Sequence, residues 1–347
     1  MAQERLRSWT EVDTTWSTLS RSIVDCRLAA LDCDRLSMDL NVRDTVIFFG
    51  VVGVALSIAK GISGPPHFRD RLAVIPEAVS GLDNAFYDNH DWDTPEHPLL
   101  KLNAARLPYF AQKLERHLAT DQPAKILDVG CGGGILTEAL ARHKSPSWHF
   151  TGVDISAQSI DAAKKHASKE DVANVDYRVS SAFTLPFEDA SFDAVISSDV
   201  IEHIHDLRKY ASEVTRVLRP GGIFVFDTIN RTWQAHLFAI VLAQQILRII
   251  PPNAHSSAMF VKPDEIRYLL GSHQLDVAPE SERVGMYPTL RPGRFLETLY
   301  GSMRKRGVQQ TAVAYYNGDI SPVLIGPFKQ TESYKEESYA WYAVKRA

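Results

Sequence analysis

Cysteine is scarce in this chain. Only Cys26, Cys33 and Cys131 occur, and no two form a Cys-x-x-Cys pair. An odd, scattered set argues against a disulfide framework or a cysteine zinc site and points to a reducing compartment. An excess of positive charge is also missing, with 38 Lys and Arg against 42 Asp and Glu and a formal net charge of −4. Nothing in that balance supplies the basic face that nucleic acid binding needs, so no nucleic acid partner is expected. No apolar run is long enough to span a bilayer. The greasiest, residues 45–59 (TVIFFGVVGVALSIA), has about fifteen residues where a spanning helix needs about twenty. It suits a buried or dimer-forming helix, or contact with a membrane surface. The first twenty residues are polar, unlike a secretory leader. A cytoplasmic protein is expected, with membrane association through that run left open. No internal repeat or low-complexity tract is visible.

What is present is an ordinary globular composition over 347 residues, 45% hydrophobic and 23% charged. That length suits one large domain with additions. Residues 1–83 carry no readable motif. Leu28, Leu31 and Leu36 recur at roughly helical spacing, and residues 61–66 (GISGPP) form a breaker cluster. This stretch reads as a helical extension. From about residue 100 to 230, short apolar runs alternate with helical patterns. Strands are expected at 125–129, 148–153, 175–179, 192–197 and 223–227, with a last one at 339–344. Helices are expected at 159–168, 207–218, 233–250 and 263–270. Such alternation implies an α/β fold with a doubly wound, largely parallel sheet, binding its ligand at the carboxyl ends of the strands. Glycine and proline are frequent between 285 and 330, which predicts loops over a pocket.

The first strand runs into Asp128-Val-Gly-Cys-Gly-Gly-Gly134. A glycine loop between a strand and a helix lets backbone approach a ligand closely. Gly130 and Gly132 fit the dinucleotide pattern, but Ile135 stands where its third glycine belongs, which disfavours pyrophosphate. Asp154 closes the second strand. A carboxylate there can accept both hydroxyls of a ribose, and Ile155 beside it can lie against an adenine ring. Taken alone, a strand-end Asp is often only a helix cap. Cys131, inside the loop, has no activating neighbour in sequence and reads as a small filler.

The order LDVGCGGG, GVDIS, LPFEDASFDAVIS, VLRPGG resembles the class I S-adenosylmethionine-dependent methyltransferases. DTINRT (227–232), AHLFAIVLAQQILRIIPPNAH (235–255), FVKP (260–263) and Asn103–Arg106 with Tyr109 are similar to the ubiquinone-pathway O-methyltransferases, over about residues 84 to 285. The resemblance implies a Rossmann-like fold with a seven-stranded mixed sheet, a methyltransferase domain over 84–347 and a lid insert at about 231–262. Substrate-side loops would lie at about 285–335. It implies S-adenosylmethionine as cofactor, held by Arg106 at its carboxylate and by Asp128, Gly130, Gly132, Asp154, Ile155, Ala182, Phe183 and Ser198. Ser181 departs from the pattern, since an Asp often stands at that position.

At the reacting end, Asp199, Glu202 and His203 follow the fourth strand. If the segment is helical, all three share a face. One histidine and two carboxylates suit a divalent cation such as Mg2+. The relatives have Glu where this chain has Asp199. The same residues can instead only orient loops. His203 and His255 are candidate bases for a phenol or catechol hydroxyl. The insert 233–250 is apolar on most sides, as a lid over a hydrophobic pocket or a membrane-contacting helix would be. A hydrophobic small molecule is therefore the expected substrate and O-methylation the expected reaction. Transfer to carbon or nitrogen, or a non-catalytic cofactor-binding scaffold, stands as the alternative. Tyr287, Arg291, Arg294, Tyr300, Tyr315 and Tyr316 are candidates for shaping the pocket.

Overall fold

The computed structural model describes residues 71–76, 80, 82, 92, 98–143, 147–246, 250–251, 253–290, 325–331 and 338–347. The expectations for residues 1–70, a homodimer through N-terminal helices included, lie outside the described residues. So do those for Arg291, Arg294, Tyr300, Tyr315 and Tyr316. All described residues fall in the compact unit Phe48–Ala347.

The core alternates as the sequence predicts: α1 (Pro98–His117), β1 (Ala124–Val129), α2 (Ile135–His143), β2 (Trp148–Asp154), α3 (Ala157–Lys169), β3 (Val175–Val179), β4 (Phe192–Ser197), α4 (Leu207–Val217) and β5 (Leu218–Ile229). Strands β1 to β5 pair in parallel in the order β3-β2-β1-β4-β5. Helices cover such a sheet on both faces, so its central strands are apolar throughout rather than alternating. Ile126, Leu127, Val129, Ala194, Val195, Ile196 and Ile223 to Phe226 are all buried. The reversal of strand order between β1 and β4 opens a crevice at their carboxyl ends, where ligands bind in this architecture.

Beyond β5 come α5 (Pro263–Ser272), β6 (Leu275–Val277), β7 (Val284–Leu290), β8 (Ile325–Thr331) and β9 (Ser338–Lys345). β9 runs antiparallel between β5 and β7, β8 pairs β7, and β6 pairs the far end of β9. Among the described residues the sheet thus has nine strands where seven were expected. The surplus comes from the three-residue β6 and from β8. β7 and β8 replace the loops expected at 285–290 and 325–330, while the expectation for residues 291–324 lies outside the described residues. Tyr287 lies in β7, and Pro288 and Pro327 sit in the paired strands β7 and β8 at the end of the sheet, where a missing ladder donor is tolerated.

Two further elements differ from expectation. β5 begins five residues early, because Arg219-Pro-Gly-Gly222 stops α4 and then continues in extended form across a break in register with β4. The insert is not one long α-helix. A single turn, Trp233–Ala235, is capped by the Thr232 hydroxyl, and His236–Ile246 follows as a π-helix. Wider π geometry is rare and recurs at functional sites. Among the described residues, no helix is long and apolar enough to cross a membrane.

Candidate active site

The glycine loop leaves β1 with Gly130 at φ +79° and Gly132 at φ +51°, values L side chains avoid. A side chain on Gly130 would run into Val200, and a Cβ on Gly132 would stand 2.5 Å from the Trp92 ring. The loop is therefore closely packed by the protein itself. The Trp92 indole N–H donates to the Ser159 hydroxyl at 3.1 Å, spanning from the loop to the first turn of α3. Beneath the loop, Asp128 is buried and accepts from the Thr137 hydroxyl at 2.6 Å. Burial pushes its pKa up to about 7, against the Thr137 hydrogen bond. Burial also pushes the Cys131 thiol well above its usual range, which disfavours the reactive thiolate.

Asp154 ends β2 beside the loop. One carboxylate oxygen accepts from the Gly132 N–H and the other from the Ser156 N–H, each at 2.9 Å. The cap of α3 is Ser156, whose hydroxyl accepts from the Ser159 N–H. The helix does not need Asp154 as its cap. A carboxylate at this strand end is the kind of acceptor a ribose hydroxyl needs. Ile155 is 73% exposed, an apolar surface open to a flat ring. Ala182 and Phe183 follow β3, and the Phe183 ring packs on His205 with centroids 4.5 Å apart.

At the ends of β4 and β5 lies a buried charge cluster. The Arg106 guanidinium, carried by α1, bonds Asp199 and lies 3.2 Å through Nε from Asp227. Burial alone would lower the Arg106 pKa, but Asp199 and Asp227 outweigh it and raise it. Asp227 also accepts from the Ser198 hydroxyl and, at 2.7 Å, from the Asp199 N–H. That bond holds Asp199 at φ +53°. Burial pushes Asp227 up to about 6, with Arg106 opposing. Glu202 is buried and accepts from Thr228 at 2.9 Å. Burial, reinforced by Asp199, pushes its pKa well up.

The expected grouping of Asp199, Glu202 and His203 on one helical face is corrected. Only Ile201–His203 form a helical turn, of the tight 3-10 kind. Asp199 turns to Arg106, and the place beside Glu202 and His203 is taken by His255. One ligand atom from each of these three lies within 4.8 Å of the other two. The rings of His203 and His255 are 5.2 Å apart between centroids. Burial, with His255 adding to it, lowers the His203 pKa to about 3, and burial lowers His255 to about 4. Both imidazoles are neutral at neutral pH and able to accept a proton or a metal.

His255 is fixed from the π-helix. Gln244 is buried, donates to the His255 carbonyl at 3.1 Å and accepts from its N–H at 2.5 Å. Two members of this network escaped the sequence reading. Asp227 was visible only as the start of a motif, and its sign was a carboxylate at the end of a buried strand. Gln244 gave no signal within its apolar run.

With this geometry in place, the comparisons with known proteins are specific. A family model described as a methyltransferase domain matches residues 127–226. A ubiquinone biosynthesis O-methyltransferase of Bartonella tribocorum is 35% identical over 222 residues, covering 60% of this chain and 88% of the relative. One of the same name from Coxiella burnetii is 35% identical over 179 residues, covering 51% and 73%. Among solved structures, a Haemonchus contortus phosphoethanolamine N-methyltransferase 2 in complex with S-adenosyl-L-methionine is 20% identical. It covers 67% of this chain and 51% of that one, with a TM-score of 0.43.

Proposed function

This chain belongs to the ubiquinone biosynthesis O-methyltransferase family of S-adenosylmethionine-dependent methyltransferases, and from that premise we propose that it methylates a phenolic or catechol-like hydroxyl of a hydrophobic small molecule. The observation that carries the reading is the pair of half-buried, neutral imidazoles, His203 and His255, beside buried Glu202 at the mouth of the sheet. The sulfonium methyl needs no activation. What the protein must supply is alignment of oxygen, carbon and sulfur, and a place for the hydroxyl proton.

In this reading the glycine loop at Gly130 and Gly132 and the Asp154 carboxylate hold the cofactor, with Asp128 bracing the loop from below. Ile155, Ala182 and Phe183 flank its adenine. Arg106 meets its carboxylate, an exchange of one carboxylate partner for another that suits a guanidinium fork. Ser198 and Asp227 support that corner. His203 or His255 takes the proton from the acceptor hydroxyl as the oxygen attacks in line.

A divalent cation fits the same corner. Glu202 Oε1 and His255 Nδ1 are buried without a hydrogen-bond partner, which is costly unless a ligand completes them. One carboxylate and two imidazoles favour a transition-metal ion over Mg2+, which prefers all-oxygen sites. Glu202, His203 and His255 would hold the ion, and the ion would lower the pKa of a bound hydroxyl. The segment at about 231–262 acts as the lid. Within it Leu237, Ile240 and Val241 are buried, while Trp233 is 57% exposed.

The test is transfer of labelled methyl from S-adenosylmethionine to a catechol bearing an alkyl chain, beside the matching aniline. Label recovered as a methyl ether supports the reading. Label on nitrogen or carbon, or transfer undiminished in His203→Gln and His255→Gln, would overturn it.

A further inference from the structure

Arg71 lies upstream of the segment that matches the methyltransferase domain, and its side chain is completely buried. Its Nε donates to the Met259 carbonyl at 2.9 Å, and Nη2 of the same guanidinium donates to the Ile204 carbonyl. These two acceptors belong to different loops. Ile204 directly follows His203. Met259 stands four residues after His255, in the loop that leads into α5. Neighbouring bonds seat the same stretch on the first loop and on the start of α4. The Ile75 N–H donates to the His205 carbonyl at 3.0 Å, and Arg208 Nε reaches the Leu72 carbonyl at 3.3 Å.

A buried guanidinium is expensive, and here the cost is only partly offset. Burial and the neighbouring Arg231 pull the Arg71 pKa down to about 10, while Glu265 and Asp206 support the charge. Nη1 is buried without a partner. An apolar side chain of similar volume would fill this space more cheaply. What an apolar side chain cannot do is donate to two carbonyls at once from one rigid plane.

We infer that Arg71 is a positioning residue for the methyl-transfer site, cross-linking the His203 and His255 loops through their carbonyls and so fixing the two rings 5.2 Å apart. It touches neither cofactor nor acceptor and acts only through the two histidines. The functional weight of the inference rests on their assignment above, but the spacing it describes is measurable without turnover. In this account the stretch ahead of the matched domain is part of the site's construction. A lysine at 71 would keep the charge and lose the span, because a single ammonium cannot reproduce the planar fork.

The experiment is carbon–proton correlation NMR of the full-length protein carrying ring-labelled histidine. His203 and His255 are assigned from His203→Gln and His255→Gln. In Arg71→Met and Arg71→Lys, both ring resonances are expected to shift together, while His149, exposed near the start of β2, stays in place. Added guanidinium should return both resonances toward their original positions in Arg71→Gly, which a globally misfolded protein would not allow. S-adenosylhomocysteine affinity, read by calorimetry on the same samples, should change less than twofold. Unmoved His203 and His255 resonances in folded Arg71→Met and Arg71→Lys would overturn the inference. Shifted resonances with transfer undiminished in His203→Gln would leave the cross-link standing and remove the assignment of the reacting corner.

Discussion

Buried Arg106 and half-buried Asp199 are partners in an ion pair, although they lie 93 positions apart in sequence. Asp227 closes the same group from β5, so one guanidinium serves two carboxylates, with Glu202 close behind. The mouth of the sheet therefore carries more carboxylates than cations. A sulfonium or a divalent ion is the kind of ligand such a site attracts.

Removing Arg106 is expected to be costly in two ways. Arg106→Met strands Asp199 and Asp227, and breaking a buried pair from one side typically costs about 3–5 kcal/mol. Urea unfolding of the cofactor-free protein should show a loss of that order. Arg106→Lys should not restore S-adenosylhomocysteine binding, because an ammonium lacks the two-pronged geometry. Full binding by the lysine variant would remove Arg106 from the cofactor's carboxylate.

Gly132→Ala should destabilise the protein by roughly 1–3 kcal/mol, as overpacking of a fitted contact does. The added Cβ would meet the Trp92 ring at 2.5 Å and sit at φ +51°. Trp92→Ala in the same chain should recover part of the loss and leave the backbone strain. A thermal double-mutant cycle reads the coupling, and strict additivity would mean that Trp92 does not pack on the loop.

Gln244→Leu keeps the apolar character of the π-helix and deprives the His255 N–H and carbonyl of their partner. Each buried group so abandoned costs about 1–3 kcal/mol. The expected result is a fall in the rate of methyl transfer of at least about tenfold, with S-adenosylhomocysteine affinity unchanged. Equal loss in both would indicate general collapse instead of displacement of His255.

Asp128 gives a pH signature. Its folded pKa is raised to about 7 by burial, above an unfolded value near 4. The folded state therefore holds the proton more tightly, so the contribution is fully present below about pH 4 and is lost as pH rises through about 7. Unfolding free energies of wild type and Asp128→Asn should diverge over that window, the wild type losing ground as pH rises. Parallel curves from pH 4 to 8 would place the Asp128 carboxylate outside this description.

The parts of the molecule legible in sequence are those whose signal is local. The run Ala124–Val129 into Gly130, the acid at Asp154, and the amphipathic Leu207–Val217 each state their structure within a dozen residues. The parts that were not legible depend on distant partners. The spacing of three and four residues to Glu202 and His203 makes Asp199 a candidate metal ligand in sequence. The fold gives it to Arg106 instead and supplies His255 from 52 positions beyond His203. No periodicity encodes that exchange. The π-helix and the β7–β8 pairing were missed for a related reason, since composition there resembles an ordinary apolar helix and a proline-rich loop.

The central claim is that Asp154 and the glycine loop hold S-adenosylmethionine at the carboxyl ends of the strands. Calorimetric titration of the full-length protein with S-adenosylhomocysteine, beside Asp154→Ala, tests it most directly. The account expects saturable binding by the wild type and a loss of at least about tenfold in the variant, since hydrogen bonds to a charged acceptor are worth about 1.5–3 kcal/mol each. Equal affinity in the two proteins, or no binding by the wild type, would contradict it.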